Sequence, residues 1–495
     1  MTNPTTNPTT KALLNPDTWS GKAFTGQWQA LSGGLIEVME PATGECLATV
    51  ARATPADVRA AAAAARAAQK GWAALPYMQR AAVFRRAAQQ LEAARDELVP
   101  WLVRETGCIP PKAFFELDSV AHLLNEAAAM LTQPRGLVLP SLEGCTSLAK
   151  RVPHGVVGVI SPFNFPFLLT CRATLPALAT GNAVLLKPDP RTPVCGGVMV
   201  ARLLELAGLP AGVLQMLPGD ADAGEALVTD PDVTMISFTG STAVGRRVGE
   251  LAGRHLKKVA LELGGKNALI VCDDADLDAA ICNGSWASWL HQGQICMSAG
   301  RHLVQRPVAE AYAERMVQKA RLLPVGNPAT EPVALGPLIT DKQVERVQRI
   351  VQESVRMGAR LLAGGTCEGR FYRPTVLADV TPAMPVFREE IFGPVVSITA
   401  FDTDAQAVAL ANDSEYGLSA GVLTRNVGRG MAIADQLHVG LVHVNDQTVN
   451  DDGTMPMGGR GASGNGSRHG GPANWDEFTQ WQWITVRAEA PQYPL

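Results

Sequence analysis

The rhythm of hydrophobic and polar positions changes near residue 147. Before it the pattern is mostly helical. A short β-like segment, Leu35-Ile36-Glu37-Val38, leads into a turn at Pro41-Ala42-Thr43-Gly44. Thr54-Pro55-Ala56-Asp57 reads as a helix start, with proline at the first helical position. The alanine-rich run over 57–72 is a strong helix former, and Arg59, Arg66 and Lys70 distinguish it from low-complexity sequence. A second helical pattern covers 78–95 and a third ends near Glu105, with Gly107 placed to stop it. Residues 1–20, rich in Thr, Asn and Pro, read as a mobile or loosely attached arm.

From Ser147 onward, apolar β-branched runs at 156–160, 183–186, 213–217 and 234–238 alternate with helix-like segments such as 197–206. This alternation predicts an α/β fold with a parallel sheet covered on both faces. Ligands of such sheets sit beyond the carboxyl ends of the strands. Polar groups stand at those ends here. Ser161-Pro162-Phe163-Asn164-Phe165-Pro166 follows the first run, Lys187-Pro188 the second, and Thr239-Gly240-Ser241-Thr242 the fourth. Another such group is Glu262-Leu263-Gly264-Gly265-Lys266. A second α/β region, 265–450, contains Ala268-Leu269-Ile270-Val271 and Val395-Val396-Ser397-Ile398. Residues 453–472 are dense in glycine, and Trp481-Gln482-Trp483-Ile484-Thr485-Val486 alternates like a strand.

Composition narrows the class. A chain of 495 residues implies two or three domains. With 46% hydrophobic and 18% charged residues it is globular rather than disordered. A net charge of −4 lacks the basic excess that nucleic acid or an anionic membrane would call for. No apolar run is long enough to span a bilayer, and the polar N-terminus has no secretory h-region. The 9 cysteines are irregularly spaced, which predicts reduced thiols in the cytoplasm.

The candidate chemistry centres on Leu290-His291-Gln292-Gly293-Gln294-Ile295-Cys296-Met297. No second cysteine stands at CxxC spacing, so a zinc knuckle or dithiol pair is not expected, and no metal is predicted. A lone thiol beside Gly and Gln suits a nucleophile with room for a substrate, and equally a buried structural cysteine. Gly240 to Gly245 has P-loop spacing, but Arg246 and Arg247 stand where Lys and Ser/Thr are required, so an ATPase is excluded. No G-x-G-x-x-G joins a strand to a helix. The turn amides and the Ser241 hydroxyl suit a pyrophosphate, or make an ordinary glycine turn. Lys187 suits ribose hydroxyls or is a surface lysine. Asn164 suits a developing oxyanion or is a turn residue. Alternation puts Glu262 on the face opposite the neighbouring leucines, as a general base near Cys296 or as an exposed strand residue.

Taken together, these motifs, with Phe238-Thr239-Gly240-Ser241-Thr242, Gly293-Gln294-Ile295-Cys296 and Glu390-Ile391-Phe392-Gly393-Pro394, resemble in order and spacing the NAD(P)-dependent aldehyde dehydrogenase superfamily. The resemblance covers nearly the whole chain after the arm. It implies a Rossmann-type cofactor domain (1–134 and 156–262), an α/β catalytic domain (263–452) and a small oligomerisation element (135–155 and 470–495). It implies Cys296 as nucleophile, Asn164 and the Cys296 N–H as oxyanion hole, and Glu262 as the base that activates water. Lys187 would hold the adenosine ribose, Gly240 and Ser241 the pyrophosphate, and Glu390 the nicotinamide ribose, with Phe392 and Phe163 beside the cofactor. It also implies a homodimer or homotetramer.

Three departures matter. Phe163 replaces a frequent Trp, His291 a frequent Asn close to the substrate, and Pro190 a Glu common in NAD-preferring relatives. Losing that carboxylate removes a repulsion against a 2′-phosphate, so NAD is the expected cofactor and NADP is possible. Phe165, Leu169, His291, Ile295 and Met297 are candidates to line a flat apolar substrate slot. The stretches 290–294, 444–450, 461–466 and 477–483 resemble the benzaldehyde dehydrogenase branch, which implies oxidation of an aromatic aldehyde to its acid through a thiohemiacetal and a thioester. An aliphatic semialdehyde dehydrogenase and a non-catalytic NAD-binding protein of the same fold are the rival readings. A CoA-acylating enzyme is disfavoured by Glu262.

Overall fold

The β-branched runs pair in parallel, as their spacing requires. The computed structural model describes residues 12–494. Its first sheet has the spatial order Lys258–Glu262, Met235–Thr239, Val156–Ile160, Ala183–Lys187, Leu214–Met216, then Ala23–Phe24 and Trp28–Gln29. The first five are parallel and the last two antiparallel. The parallel part starts at Val156–Ile160, builds outward to one side, then returns to build on the other. The strand order therefore reverses between Val156–Ile160 and Met235–Thr239. A crevice opens at such a switch point because the flanking connections leave in opposite directions.

The alanine-rich segment forms the helix Pro55–Ala74 and covers one face of this sheet. It starts at a capping box in which Thr54 and Asp57 satisfy each other's backbone N–H groups. Its small buried side chains, Ala61, Ala62 and Ala65, pack in one cluster with sheet residues Ala183 and Leu185. The helices expected over 78–95 and ending near Glu105 are Tyr77–Ala93 and Arg95–Thr106, the second stopped by left-handed Gly107 as anticipated. A helix with no counterpart among the sequence expectations, Pro110–Met130, follows.

The second sheet runs Arg360–Ala363, Thr375–Ala378, Val395–Phe401, Ala299–Gln305, Asn267–Val271, Ser419–Leu423, Leu441–Val444. It is parallel apart from its first pair. Glu262 ends a strand of the first sheet and Asn267 begins one of the second, so the carboxyl ends of one sheet meet the amino ends of the other. A third, antiparallel sheet pairs Thr479–Arg487 with Cys145–Pro153 and Gly136–Leu139.

The N-terminal arm departs from expectation. Its residues 1–11 lie outside the described residues. From residue 12 onward it is fastened down: Leu13, Leu14 and Trp19 are buried. The Leu13 and Leu14 amides donate to Glu97 at 2.9 and 2.6 Å, and Arg202 donates to the Leu13 carbonyl at 2.9 Å. Apolar anchors hidden among polar residues outweigh the loop-like composition. Among the described residues no helix is long and apolar enough to cross a membrane.

Candidate active site

At the switch point lies a cleft of about 420 Å³. Phe163, Asn164, Leu169, Lys187, Gly240, Ser241, Glu262, Cys296, Glu390 and Phe392 all line it. The structure thus gathers residues from six separate stretches of chain. Phe165, His291, Ile295 and Met297 do not line it. They are buried behind the wall, with the His291 ring packed edge-on to Phe165 at 5.7 Å.

The turn that carries Cys296 is held from several sides. After the helix Leu277–Trp289 the chain passes through three left-handed residues, His291 (φ 49°), Gln292 (φ 57°) and Gly293 (φ 68°). Two of these carry side chains, and this conformation is unfavourable for L-residues. Gln292 offsets that cost by donating to the carbonyls of Gly107 and Pro337, both at 2.9 Å. Gln294 accepts from the Ile339 amide at 3.0 Å. Asn267 donates to the carbonyls of Cys296 and Ser298 at 2.8 and 2.9 Å. Gly265 lies so close to this turn that a Cβ there would come within 2.3 Å of the Cys296 carbonyl.

Asn164 is fixed from both its ends. Its side-chain amide donates to the Gln294 carbonyl at 2.9 Å, which leaves one amide proton without an acceptor among the described residues. Its carbonyl accepts from Lys112 at 2.7 Å. Lys112 forms a fully buried ion pair with Glu116, and Glu116 in turn accepts from the Phe167 and Leu168 amides at 3.1 Å each. The ammonium also stands 4.3 Å from the Phe165 ring centroid. This buried charge network is satisfied at every member, the condition under which such a network rigidifies rather than destabilises.

Leu261 and Leu263 pack into the core with the helix Thr242–Arg254, while Glu262 turns to the cleft. Its carboxylate oxygens have no hydrogen-bond partner among the described residues, and burial holds its pKa well above the usual carboxylate range, against the pull of Arg468 and Arg172. Burial likewise pushes the Cys296 thiol up to about 12, with the Glu390 and Glu262 charges adding to the shift and Arg172 opposing it. The Cys296 backbone N–H has no acceptor among the described residues. A thiol, a proton acceptor and two N–H donors without partners thus face one space, the constellation needed for covalent chemistry at a carbonyl.

The outer cleft is polar. Lys187 is 7% exposed, its pKa lowered by burial, and no acceptor stands in range among the described residues. Ser241 caps the helix Thr242–Arg254, whose N-terminus opens on the cleft. Glu390 accepts from the Gly265 amide at 3.0 Å, and burial raises it to about 7. Its turn is held by Gln343, which donates to the Ile391 and Phe392 carbonyls at 3.0 and 2.8 Å, and by Arg346, which donates to the Glu390 carbonyl at 2.6 Å. Phe163 and Phe392 meet edge to face at 5.8 Å. A buried ammonium, a helix N-terminus and a carboxylate spaced along one cleft fit the ribose, pyrophosphate and second ribose of a dinucleotide.

Residues 28–484 match the model of the aldehyde dehydrogenase family. The chain belongs to that family. A vanillin dehydrogenase from an Amycolatopsis species is 53% identical over 485 residues, covering 98% of this chain and 100% of the relative. A benzaldehyde dehydrogenase [NAD(+)] from Pseudomonas putida is 50% identical over 478 residues, covering 96% and 98%. Among solved structures, a Brucella melitensis aldehyde dehydrogenase superposes with a TM-score of 0.92 at 34% identity, covering 97% of this chain and 100% of its own. A Staphylococcus aureus betaine aldehyde dehydrogenase in complex with NAD+ gives 0.93 at 27% identity, covering 97% of each.

Behind Cys296 and Glu262 the aldehyde dehydrogenase cleft continues into a narrow side cavity of about 20 Å³. Its apolar walls are Leu169, Ala173, Leu263 and Met457, and its polar walls include Arg172 and His469. Met457, unbranched and flexible, is the wall freest to move for a larger group. Arg172 is paired with Asp451. The sequence reading missed Arg172, Asp451, Met457 and His469. One signal was available: an arginine in Phe167-Leu168-Leu169-Thr170-Cys171-Arg172-Ala173, a run apolar on every face, has to be buried and paired.

Proposed function

We propose that this protein oxidises an aromatic aldehyde to its carboxylic acid with NAD, NADP being the possible substitute. The observation that carries the reading is a cleft-facing thiol placed with an unpaired buried carboxylate, in a site whose inner walls are largely apolar. The relatives named for vanillin and benzaldehyde support the aromatic class. The cofactor is held by Lys187, Gly240 and Ser241, beside Phe163, in the body formed by segments 1–134 and 156–262, and by Glu390, beside Phe392, in segment 263–452. Segment 263–452 supplies the nucleophile.

Deprotonated Cys296 attacks the carbonyl carbon and forms a thiohemiacetal. Its oxyanion accepts hydrogen bonds from the free Asn164 amide N–H and from the Cys296 N–H, donors fixed beforehand by Lys112, Glu116 and Gln294. When bound, the nicotinamide supplies the hydride acceptor. Cys296 is left as a thioester, and Glu262 takes a proton from the water that cleaves it. Leu169, Leu263 and Met457 exclude bulk water from the ring side.

Benzaldehyde or a ring-substituted derivative is expected to exceed acetaldehyde and succinic semialdehyde in kcat/KM by about tenfold or more. Burying a ring contributes more than the ~1.4 kcal/mol that tenfold requires. A panel read by reduced-cofactor absorbance checks this, and equal efficiency with a short aliphatic aldehyde rejects the aromatic reading. The semialdehyde rival needs a free cation beside the aldehyde. Arg172 stands in that place, but Asp451 already occupies it.

We also propose that the protein is a cytoplasmic homo-oligomer. All nine cysteines are free. Self-association is supported by the sheet of segments 135–155 and 470–495, which carries solvent-facing Leu137, Val138, Trp481, Trp483 and Val486. Monomers rarely leave such a patch uncovered. Sedimentation is expected to give a dimer or tetramer, and Trp483→Glu a smaller species. A wild-type monomer refutes the proposal.

A further inference from the structure

Arg191 lines the cleft together with Lys187, Ser241 and Phe163, in the loop just after the strand Ala183–Lys187. Its guanidinium is pinned twice. Nε and Nη2 donate to the two Asp189 carboxylate oxygens at 2.7 and 2.6 Å. The guanidinium carbon also lies over the Phe163 ring, 4.1 Å from its centroid. Nη1 donates to nothing among the described residues, and the side chain keeps 40% of its surface exposed. A guanidinium aimed by a carboxylate and a ring, with its remaining N–H groups open to a cleft, is a preorganised fork for a phosphate. Its position narrows the choice of phosphate. The stem starts beside Lys187, at the adenosine-ribose end. The guanidinium ends over Phe163, whose ring meets Phe392 at 5.8 Å, two residues from Glu390 at the other ribose. Between the two riboses of a dinucleotide lies the pyrophosphate. Phe163 offers that stretch a π-face and no donor; the N–H groups over it are those of Arg191.

We propose that Arg191, aimed by Asp189 and Phe163, donates to the pyrophosphate of the bound dinucleotide and sets the affinity for it. The proposal rests on the dinucleotide reading above and adds a residue outside that set. Asp189 cancels the net charge of the guanidinium, so Arg191 contributes directed N–H donation. Lys187 and the N-terminus of the helix Thr242–Arg254 supply the positive field. Asp189 does not oppose the phosphate, because both its oxygens are engaged and Oδ1 accepts from the Arg191 amide as well, at 3.0 Å. NAD and NADP share the pyrophosphate, so Arg191 serves both alike. A guanidinium that read the 2′-phosphate would serve NADP alone.

The test reads binding directly. NADH and NADPH are titrated by fluorescence, and adenosine, which carries no phosphate, by displacement of NADH, with the wild type, Arg191→Ala and Arg191→Lys. In Arg191→Ala the Kd values for NADH and NADPH are expected to rise by about tenfold or more, and by similar factors, while adenosine binds as before. Arg191→Lys keeps a cation for Asp189 but loses the fork, so it should show a smaller rise for both dinucleotides. That variant keeps the proposal testable should the alanine variant not fold. An unchanged Kd for NADH in the folded variants overturns the proposal. A loss confined to NADPH overturns it in favour of the 2′-phosphate, and an equal loss for adenosine reduces Arg191 to a support of its loop. If the wild type binds neither NADH nor NADPH, the dinucleotide reading fails instead.

Discussion

Cys296→Ala is expected to lower aldehyde oxidation by about 10⁴-fold or more while the cofactor still binds. The thiol is the only group at the site that can form the covalent intermediate, and the donors around it can polarise a carbonyl but not replace the nucleophile. Cys108, Cys171, Cys195 and Cys272 are buried elsewhere in the fold, and none lines the cleft. The change should be local. The turn is held by Gln292, Gln294 and Asn267, not by the Cys296 side chain. Lys187, Ser241 and Glu390 are untouched, so binding of the reduced cofactor, followed by its fluorescence, should persist within a few-fold. Turnover that falls by less than about tenfold removes Cys296 from the mechanism.

Much of this site was legible in the sequence because of one topological rule. Asn164, Lys187, Gly240 and Glu262 each stand at or just beyond the carboxyl end of an apolar run, and a parallel sheet places all such ends on one edge. Pairings remote in sequence were not legible. Lys112 and Glu116 carry no local signal of their role, which appears only when the fold brings them against the Asn164 carbonyl and the Phe167 and Leu168 amides. Arg172 announces that it needs a partner, but periodicity cannot say that the partner is Asp451, 279 residues away. The neighbours of Cys296 show a different limit. His291, Ile295 and Met297 flank the thiol in sequence, yet the left-handed turn sends their side chains into the core. Adjacency along a tight turn does not fix direction. Over residues 12–20 the arm is fastened where the composition suggested a loose one: Leu13, Leu14 and Trp19 are few among polar residues, and partners remote in sequence, Glu97 and Arg202, hold the segment down.

Glu262→Gln separates the two halves of the reaction. The variant is expected to release about one equivalent of reduced cofactor per site in a burst, then to stall, with steady turnover reduced by about 10²–10⁴-fold, the usual worth of a general base. Oxidation of the thiohemiacetal leaves a thioester on Cys296, and only the following hydrolysis needs a proton acceptor for water. Rapid quenching with mass spectrometry should find the acyl group on Cys296. The pH dependence supplies a second reading. Burial raises the Glu262 pKa, so its basic form is lost as pH falls through a value well above the ordinary carboxylate range. Wild-type turnover limited by hydrolysis should therefore decline on the acid side at a higher pH than a solvent-exposed glutamate would give. Glutamine has no such titration, and the residual rate should instead follow hydroxide. A burst lost together with turnover would assign Glu262 an earlier task. Because burial, Glu390 and Glu262 itself push the Cys296 thiol up to about 12, that task would be to take the thiol proton before attack.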